Sequence, residues 1–248
     1  PADANDPQLQ QAIGELRPDL LFSFYYRSLL QQSLLGSARR GAFNMHGSLL
    51  PNYRGRAPVN WAILRGERET GATLHHMVAR ADAGDIVDQL AVPILADDNA
   101  RDVFRKVTVA AEIVLARSLP GILAGTAPRT PQVLAPGQYF GRRRPQDGLI
   151  DWLYPAEQIH NLVRALAPPF PGAFTDMAGQ RWWLHRTRVV QRSVAAEDRG
   201  RLFEIDGRCY AACADGSVLQ LLEIATAEGP LDLRLLAKRL RTQPILLR

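Results

Sequence analysis

Cysteine is nearly absent from this sequence, which contains two, Cys209 and Cys213, among 248 residues. Two cysteines are too few for a disulfide framework, and residues four apart in one strand share a face but stand too far apart to bond easily. The sequence also has no C-x-x-C, no H-E-x-x-H and no acidic cluster, the patterns that hold metal ions. We therefore expect no metal site, and we expect both cysteines to be small core residues in a reducing compartment.

Long apolar runs are missing as well. Runs such as residues 19–22 fall far short of the roughly 20 residues that a membrane helix needs. The sequence shows no signal peptide, no repeat at a fixed period and no G-x-G-x-x-G fingerprint of a dinucleotide-binding domain. These absences predict a cytoplasmic protein without a membrane segment, and they exclude solenoid architectures.

The composition is that of a globular protein, with 46% hydrophobic and 22% charged residues and a net charge of +5. The charge is uneven, because residues 141–248 carry 16 basic and 12 acidic side chains while the first 140 residues are nearly balanced. A modestly basic second part fits phosphate-bearing partners, but so small an excess is weak evidence for nucleic-acid binding.

Hydrophobic periodicity predicts an open α/β sheet followed by a smaller part made of short strands. The strand at 19–24 is almost continuously apolar, which is typical of a strand buried on both faces of a parallel sheet. Three prolines make residues 126–140 a predicted linker between a domain at 1–125 and a domain at 141–248. Asp-Gly pairs at 206–207 and 215–216 are hairpin signals, so we expect the second domain to be a small barrel.

The individual elements follow from the same periodicity. The predicted helices span 7–16, 29–35, 58–65, 98–123 and 155–166. The predicted strands lie at 19–24, around 42–46, and at 71–78, 86–94, 173–177, 181–190, 201–205, 208–214 and 217–225.

Asn44 and His46 stand two residues apart near the end of the strand around 42–46, just before a Gly-Ser and a proline. At that spacing in a strand, both side chains point to one face. An imidazole and a carboxamide aimed together into a crevice are suited to moving a proton while holding an oxygen. A lone histidine at a strand end is more often structural, so the pair needs further partners to count as a catalytic site.

Asp82 is the third candidate, because it lies in a glycine-bearing turn between two predicted strands, where a carboxylate reaches a neighbouring crevice. A carboxylate bonded to one imidazole nitrogen would fix the tautomer of His46 and raise its pKa, which suits proton transfer near neutral pH. Taken alone, an aspartate in such a turn is more often a turn or cap residue.

Three segments carry a resemblance to a known family: NMHGSLLP at 44–51, RGRAP at 54–58 and ADAGD at 81–85. They resemble the active-site segments of the 10-formyltetrahydrofolate-dependent formyltransferases, which include methionyl-tRNA formyltransferase and the sugar-nucleotide formyltransferases. The family's pattern of Asn, His two residues on, and a distant Asp falls on Asn44, His46 and Asp82. The resemblance implies that Asn44 stabilises a tetrahedral oxyanion, that His46 shuttles the proton and that Asp82 orients His46.

The resemblance also implies a Rossmann-like catalytic domain, 10-formyltetrahydrofolate as formyl donor, and a set of folate contacts. By residue-for-residue comparison the folate would be held by Ser28, Leu29, Leu30, Arg56 and the backbone of Val78, Ala79, Arg80, Ala81 and Asp82. The family's opening strand and Gly-rich turn have no counterpart before Pro1, so we expect the N-terminal part of that domain to be missing from this sequence. The small barrel after the linker is expected to be OB-like.

Within the family, four further segments resemble the branch that formylates UDP-4-amino-4-deoxy-L-arabinose in lipid A modification. These are FSFYYR at 22–27, GRAP at 55–58, FGRR at 140–143 and AF at 173–174. The implied acceptor is the amine of a UDP-linked 4-amino-4-deoxy sugar. No fused dehydrogenase-like domain is marked, so decarboxylation is not predicted.

Two other functions remain open: formylation of methionyl-tRNA, and a non-catalytic module that binds folate, nucleotide or RNA. The arginines at 142–144 would either meet a pyrophosphate or form solvated surface. Trp182 and Trp183 should point to opposite faces of a strand, one of them into the core. His75, His76, His160 and His185 show no partner pattern and are expected to be structural, and the oligomeric state stays open.

Overall fold

The computed structural model describes residues 3–177 and 179–247, which divide into two compact units. The first unit holds the residues up to Trp61 together with Arg68–Ile94 and Val103–Arg142. The second holds Ala62–Glu67, Leu95–Asp102 and the chain from Arg143 onward.

The part of the chain before Arg143 alternates helices with strands. The helices are α1 (Pro7–Leu16), α2 (Gln32–Leu35), α3 (Pro58–Leu64) and α4 (Ala100–Ala124). The strands are β1 (Leu21–Phe24), β2 (Ala42–His46), β3 (Arg54–Gly55), β4 (Glu69–His76), β5 (Ile86–Pro93) and β6 (Tyr139–Phe140).

Four of these strands form a mixed sheet in the order β1-β2-β4-β5. β1 runs parallel to β2, whereas β2 pairs antiparallel with β4 and β4 antiparallel with β5. In the β2–β4 pair, Asn44 lies opposite His75 and His46 lies opposite Thr73. Since residues directly opposite in an antiparallel pair share a face, these four polar side chains stand on one side of the sheet.

Two sequence-based expectations for the start of the chain were wrong. β1 is not buried on both faces: its first three residues are half-buried and Phe24 is 50% exposed, because β1 is the edge of the described sheet. The helix expected from residue 29 begins only at Gln32. The side chain of Asn5 binds the N–H of Gln31 (2.9 Å) and the carbonyl of Leu29 (2.8 Å), and thereby takes up the carbonyl that a longer helix would use.

The long helix α4 is confirmed, with a buried stripe through Val103, Val107, Ala110 and Val114. Leu119, predicted on that stripe, is only half-buried, and the neighbouring Ser118 turns inward instead and contacts Asp88. Within the described residues, α4 is the one helix whose length and composition would allow it to cross a membrane, a test that the core helix of a soluble protein also passes. The expected lack of a membrane segment therefore stays a prediction.

The predicted linker at 126–140 makes regular contacts with the first unit. Thr130 exchanges two backbone hydrogen bonds with Ile86 (2.8 and 2.9 Å), and β6 pairs parallel with β3. Gln138 accepts a hydrogen bond from the backbone N–H of Arg54 through its carbonyl (3.0 Å). The domain limits drawn from the sequence remain predictions.

The second unit consists mainly of one antiparallel sheet with two helices on it. The strands are β7 (Ala173–Met177), β8 (Gln180–Ser193), β9 (Arg201–Ile205), β10 (Arg208–Ala212), β11 (Ser217–Thr226), β12 (Gly229–Pro230) and β13 (Ile245–Leu246), and the helices are α5 (Ala156–Leu166) and α6 (Leu233–Thr242). The sheet runs β13-β9-β10-β11-β8-β7, with β12 beside β11. The described residues show no pairing between β7 and β13, so an OB-like closed barrel stays a prediction.

The second unit's core includes the two cysteines, both free, as the sequence predicts. Burial raises the pKa of each thiol to about 11, so neither is a reactive thiolate near neutral pH. Sequence reasoning missed α6, which begins at the N-cap Asp232 and buries Leu236, Ala237 and Leu240. Its apolar residues at i, i+1 and i+4 form a pattern in the sequence that predicts one buried face of a helix.

Gly71 offers a test of how closely β4 and β5 approach. A β-carbon at Gly71 would overlap the carbonyl oxygen of Leu90 on β5, whereas one at Gly14 in α1 would meet nothing within 4 Å. We expect Gly71→Ala to lower the free energy of unfolding by about 3 kcal/mol through overpacking. Gly14→Ala should raise it by about 0.5–1 kcal/mol through helix propensity. Urea denaturation of both variants measures the difference, and equal stabilities would contradict this packing.

Candidate active site

The strand pair β2–β4 supplies the floor of the site. Asn44 and His46 project from one face of β2, and His75 and Thr73 project beside them from β4. His46 and His75 are buried, at 6% and 2% exposure, and Asn44 is half-buried. The two imidazoles and the carboxamide therefore meet in a largely water-poor position.

Asp82 completes the cluster from the loop between β4 and β5. Its backbone has φ = +49°, an uncommon left-handed conformation for an aspartate. One carboxylate oxygen, Oδ1, lies 3.6 Å from His46 Nδ1, 3.6 Å from His75 Nε2 and 3.5 Å from Asn44 Nδ2. The other oxygen, Oδ2, accepts a hydrogen bond from the N–H of Gly55 (2.9 Å). The structure thus brings the three predicted catalytic residues together, with Asn44 and His46 both close to the carboxylate of Asp82.

His46 is oriented by a different partner from the one expected. Its Nε2 lies 2.9 Å from the carbonyl oxygen of Tyr53, so Nε2 carries the hydrogen and donates it. The other nitrogen, Nδ1, then faces Asp82 with its lone pair available. The tautomer of His46 is therefore set by the Tyr53 carbonyl, and Nδ1 is the atom placed to accept a proton.

The expected upward shift of the His46 pKa is not what the site produces. Burial lowers the pKa of His46 below its ordinary value of 6.5, and this outweighs the opposing attraction of Asp82 and the hydrogen bond to Tyr53. The imidazole is thus neutral at pH 7, in the form that accepts a proton.

At Asp82 burial is outweighed by the neighbouring groups, so the carboxyl is held as an anion. Burial alone would raise its pKa, but the neighbouring imidazoles of His75 and His46 and the N–H of Gly55 together lower the pKa of Asp82 to about 2. The carboxylate therefore stays charged throughout the neutral range.

The loop that follows β2 is held by Thr73, the residue opposite His46. Thr73 Oγ1 accepts from the N–H of Leu50 (3.1 Å) and donates to the carbonyl of Ser48 (2.6 Å). Gln89 on β5 extends this row by donating to the carbonyl of Leu50 (2.7 Å) and to Thr73 Oγ1 (2.8 Å). These bonds fix the chain that leads to Tyr53, whose carbonyl orients His46.

The segment 126–140 braces the opposite side of the site. Gln132 Nε2 donates to the carbonyls of Asp82 (3.1 Å) and Gly84 (2.6 Å), which holds the loop that carries Asp82. Gly55 has φ = +100°, and a β-carbon there would overlap the carbonyl oxygen of Phe140. Only glycine fits between β6 and the Asp82 carboxylate that its N–H binds.

The predicted folate contacts lie on two loops of the first unit. Ser28 and Leu29 are exposed and Leu30 is half-buried; Val78, Ala79 and Arg80 are exposed, and Ala81 is half-buried. Arg56 is exposed, and its Nη2 donates to the carbonyl of Arg27 (2.9 Å), which places this side chain against the first loop. The second loop carries Asp82, so part of the predicted set adjoins the catalytic cluster. Folate binding by these residues remains a prediction.

Sequence reasoning missed His75, which it assigned to a structural role. Nε2 of His75 lies 3.1 Å from Asn44 Nδ2, so this histidine belongs to the cluster. The strand spacing shows only that His75 points to one face of β4, and the register that sets it opposite Asn44 is a contact between distant segments.

The other predictions for single residues have mixed outcomes. Trp182 is buried and Trp183 half-buried, as expected for neighbours in a strand. His160 is structural, as predicted, since it bonds Thr187 Oγ1 (2.9 Å) and the carbonyl of Ala96 (3.0 Å). In the arginine run, Arg143 donates to the carbonyl of Asp147 (2.6 Å) while Arg142 and Arg144 are exposed. Pyrophosphate binding by this run stays a prediction.

Comparison with known proteins agrees on one family. A family model described as formyl transferase matches residues 1–119, and a model described as formyl transferase, C-terminal domain, matches residues 143–238. Both units of the chain are thus accounted for by the two halves of the same kind of enzyme.

Solved structures with the same fold include three of differing length. An N-formyltransferase from Helicobacter canadensis, solved with folinic acid and dTDP-3-aminofucose, is 23% identical with a TM-score of 0.63, over 81% of this chain and 72% of that one. A 4-N formyltransferase from Francisella tularensis is 24% identical with a TM-score of 0.61, over 69% and 72%. HypX from Aquifex aeolicus, solved with tetrahydrofolic acid, is 20% identical with a TM-score of 0.68, over 98% of this chain and 45% of that one. At these identities the likeness shows the fold.

The competition between burial and Asp82 at His46 can be measured directly. Because Asp82 raises the pKa of His46 while burial lowers it, Asp82→Asn should move the His46 pKa still further below 6.5. A ring-proton NMR titration, with the resonance assigned by its loss in His46→Gln, measures the shift. An unchanged or raised pKa in Asp82→Asn would show that the carboxylate does not act on this imidazole.

Proposed function

This chain belongs to the formyltransferase family, and we propose that it transfers a formyl group from 10-formyltetrahydrofolate to the amine of a nucleotide-linked amino sugar in the cytoplasm. The observation that carries the proposal is the cluster itself. A neutral imidazole and a carboxamide N–H, side by side on one face of the sheet, each lie within 3.6 Å of one oxygen of a carboxylate held as an anion.

The residues divide the reaction among them. The acceptor nitrogen attacks the formyl carbon, a C–N bond forms, and the carbonyl oxygen becomes an oxyanion to which the amide of Asn44 donates a hydrogen bond. His46 Nδ1 takes the proton that the attacking nitrogen loses and returns it to N10 of the folate as the N10–carbon bond breaks. Asp82 faces the imidazolium during that interval and stabilises its charge.

The acceptor class rests on two supports. Structures with this fold include one described as a sugar 3N-formyl transferase and an N-formyltransferase solved with dTDP-3-aminofucose. The segments at 22–27, 55–58, 140–143 and 173–174 resemble the branch that uses a UDP-linked 4-amino-4-deoxy sugar. We therefore propose UDP-4-amino-4-deoxy-L-arabinose, an intermediate of lipid A modification, as the first acceptor to test.

The acceptor experiment compares several amines under one set of conditions. The protein is incubated with 10-formyltetrahydrofolate and UDP-4-amino-4-deoxy-L-arabinose, a dTDP-4-amino sugar, a dTDP-3-amino sugar or charged initiator tRNA, and formylated product is measured by mass spectrometry. Product only with the UDP sugar supports the finer proposal, and product only with a dTDP sugar supports the class while excluding that acceptor. Product only with tRNA would overturn the sugar proposal. Folate binding without any product would favour the binding module.

Substitutions at the cluster should separate chemistry from binding. We expect His46→Gln to lower kcat by about 10²–10⁴-fold, the usual contribution of general acid–base catalysis. Asn44→Ala should lower kcat by about 10²–10³-fold, the usual loss of one oxyanion donor. Because both act in the transition state, the dissociation constant for folate, measured by calorimetry, should change little.

The pH dependence follows from the same site. His46 must be unprotonated to accept a proton, and its pKa is lowered below 6.5, so kcat should persist down to pH 6.5 and fall at lower pH. A loss of kcat already above that pH would contradict the assignment of His46 as the base.

A further inference from the structure

His75 is a fourth polar side chain of the site, and the reaction described so far does not use it. We propose that His75 is a positioning residue, which fixes the rotation of the Asn44 amide so that one N–H of that amide is aimed at the reacting carbonyl. This inference rests on the proposed formyl transfer and assigns a role to one more residue of the same site.

The hydrogen of the His75 ring is on Nδ1. Nδ1 of His75 lies 2.8 Å from the carbonyl oxygen of His76, and a carbonyl only accepts hydrogen bonds. Nδ1 is therefore protonated and donates. In the neutral ring Nε2 is then the nitrogen with a free lone pair.

The Asn44 amide has one favourable orientation beside His75. Nε2 of His75 lies 3.1 Å from Nδ2 of Asn44, so the carboxamide donates one N–H to the imidazole. Turning the amide by 180° would place its oxygen against the bare Nε2, two acceptors in contact at 2% exposure of the imidazole. His75 thus selects one of the two orientations of Asn44.

The other N–H of Asn44 has no close acceptor in the cluster. It points towards Asp82 Oδ1 at 3.5 Å, which is longer than a good N–H···O bond. A developing oxyanion offers that N–H a better acceptor than the distant carboxylate does, so this is the donor available to the transition state. Without His75 the amide would be free to turn its oxygen to this place instead.

Among the described residues, three titratable groups interact with His75: Asp82, His46 and the adjacent His76. Asp82 Oδ1 lies 3.6 Å from Nε2 and approaches from the β4–β5 loop, and His46 stands on β2 beside Asn44. A proton on Nε2 would turn this nitrogen into a donor towards Asp82 and break its bond with Asn44. The positioning role therefore requires the ring to be protonated on Nδ1 alone.

A double-mutant cycle distinguishes positioning from a merely structural role. His75→Leu removes the acceptor, and its loss of kcat should be about 10–100-fold, because it cannot exceed the loss from removing the Asn44 donor itself. The KM for folate should be unchanged. His75→Leu in the Asn44→Ala background should lower kcat no further, since the residue through which it acts is already gone. His75→Gln, which keeps an acceptor near Nε2, should retain most of the activity.

Thr70→Val is the matched control, because Thr70 is buried on β4, projects from the other face and finds no partner for its hydroxyl among the described residues. We expect it to keep wild-type kcat. Losses of His75→Leu and Asn44→Ala that multiply in the double variant, or a His75→Leu variant as active as wild type, would overturn the proposal.

A readout independent of turnover separates this inference from the proposed function. In the wild-type protein, ¹⁵N NMR of the His75 ring should show Nδ1 protonated and Nε2 bare, and Asn44→Ala should shift the Nε2 resonance because its donor is removed. A protonated Nε2, or an Nε2 resonance that ignores Asn44→Ala, would overturn the positioning role even in an active enzyme. A wild-type protein with the expected spectra but no formyl transfer to any acceptor would instead defeat the proposed function.

Discussion

The charge of Asp82 is the constraint on which the rest of the site depends. A carboxylate at 15% side-chain exposure must be compensated by hydrogen bonds and nearby positive or donor groups, or it would take up a proton. Here the N–H of Gly55 binds one oxygen and an N–H of the Asn44 carboxamide points towards the other, with the two imidazoles close beside it. The glycine is required for steric reasons at the same point, and Gln132 fixes the backbone of the loop. Segments 54–56, 77–85 and 126–140 are thus ordered around one negative charge.

The sheet contributes by setting distances that no single segment determines. β2 alone aligns Asn44 with His46, but only its antiparallel register with β4 brings His75 and Thr73 to the same face. Thr73 and Gln89 then bind the chain after β2, so the carbonyl of Tyr53 arrives at His46 Nε2. A slip of one residue in this register would turn His75 and Thr73 to the opposite face. It would remove both the contact of His75 with Asn44 and the bonds of Thr73 to the chain after β2.

The sequence predicted features that depend on neighbouring residues, and it missed features that depend on contacts between distant ones. The same-face spacing of Asn44 and His46, the helix at Pro7–Leu16 and the Asp-Gly hairpins depend on neighbouring residues, and all three are found in the structure. The contact of His75 with Asn44 was not predicted because the two residues are 31 apart in the sequence, and the helix at α2 was predicted too long because Asn5 binds the carbonyl of Leu29. Asp82 does raise the His46 pKa, as predicted, but the net shift is downward, because the sequence shows the neighbouring carboxylate and not the extent of burial.

The pKa values of Asp82 and His46 are both lowered, and this determines how charge develops in the proposed reaction. Before attack, the anion of Asp82 faces the bare Nδ1 of a neutral imidazole, an arrangement with no ion pair in it. When the attacking amine gives up its proton to Nδ1, the same two groups become a charge-assisted pair in a poorly solvated position, where such pairs are strongest. The interaction is therefore made only as the reaction proceeds, which is the condition under which binding energy lowers a barrier rather than merely holding the substrate. Because burial lowers the His46 pKa, the imidazole is neutral in the resting site, and the ion pair with Asp82 forms only when Nδ1 takes up the proton.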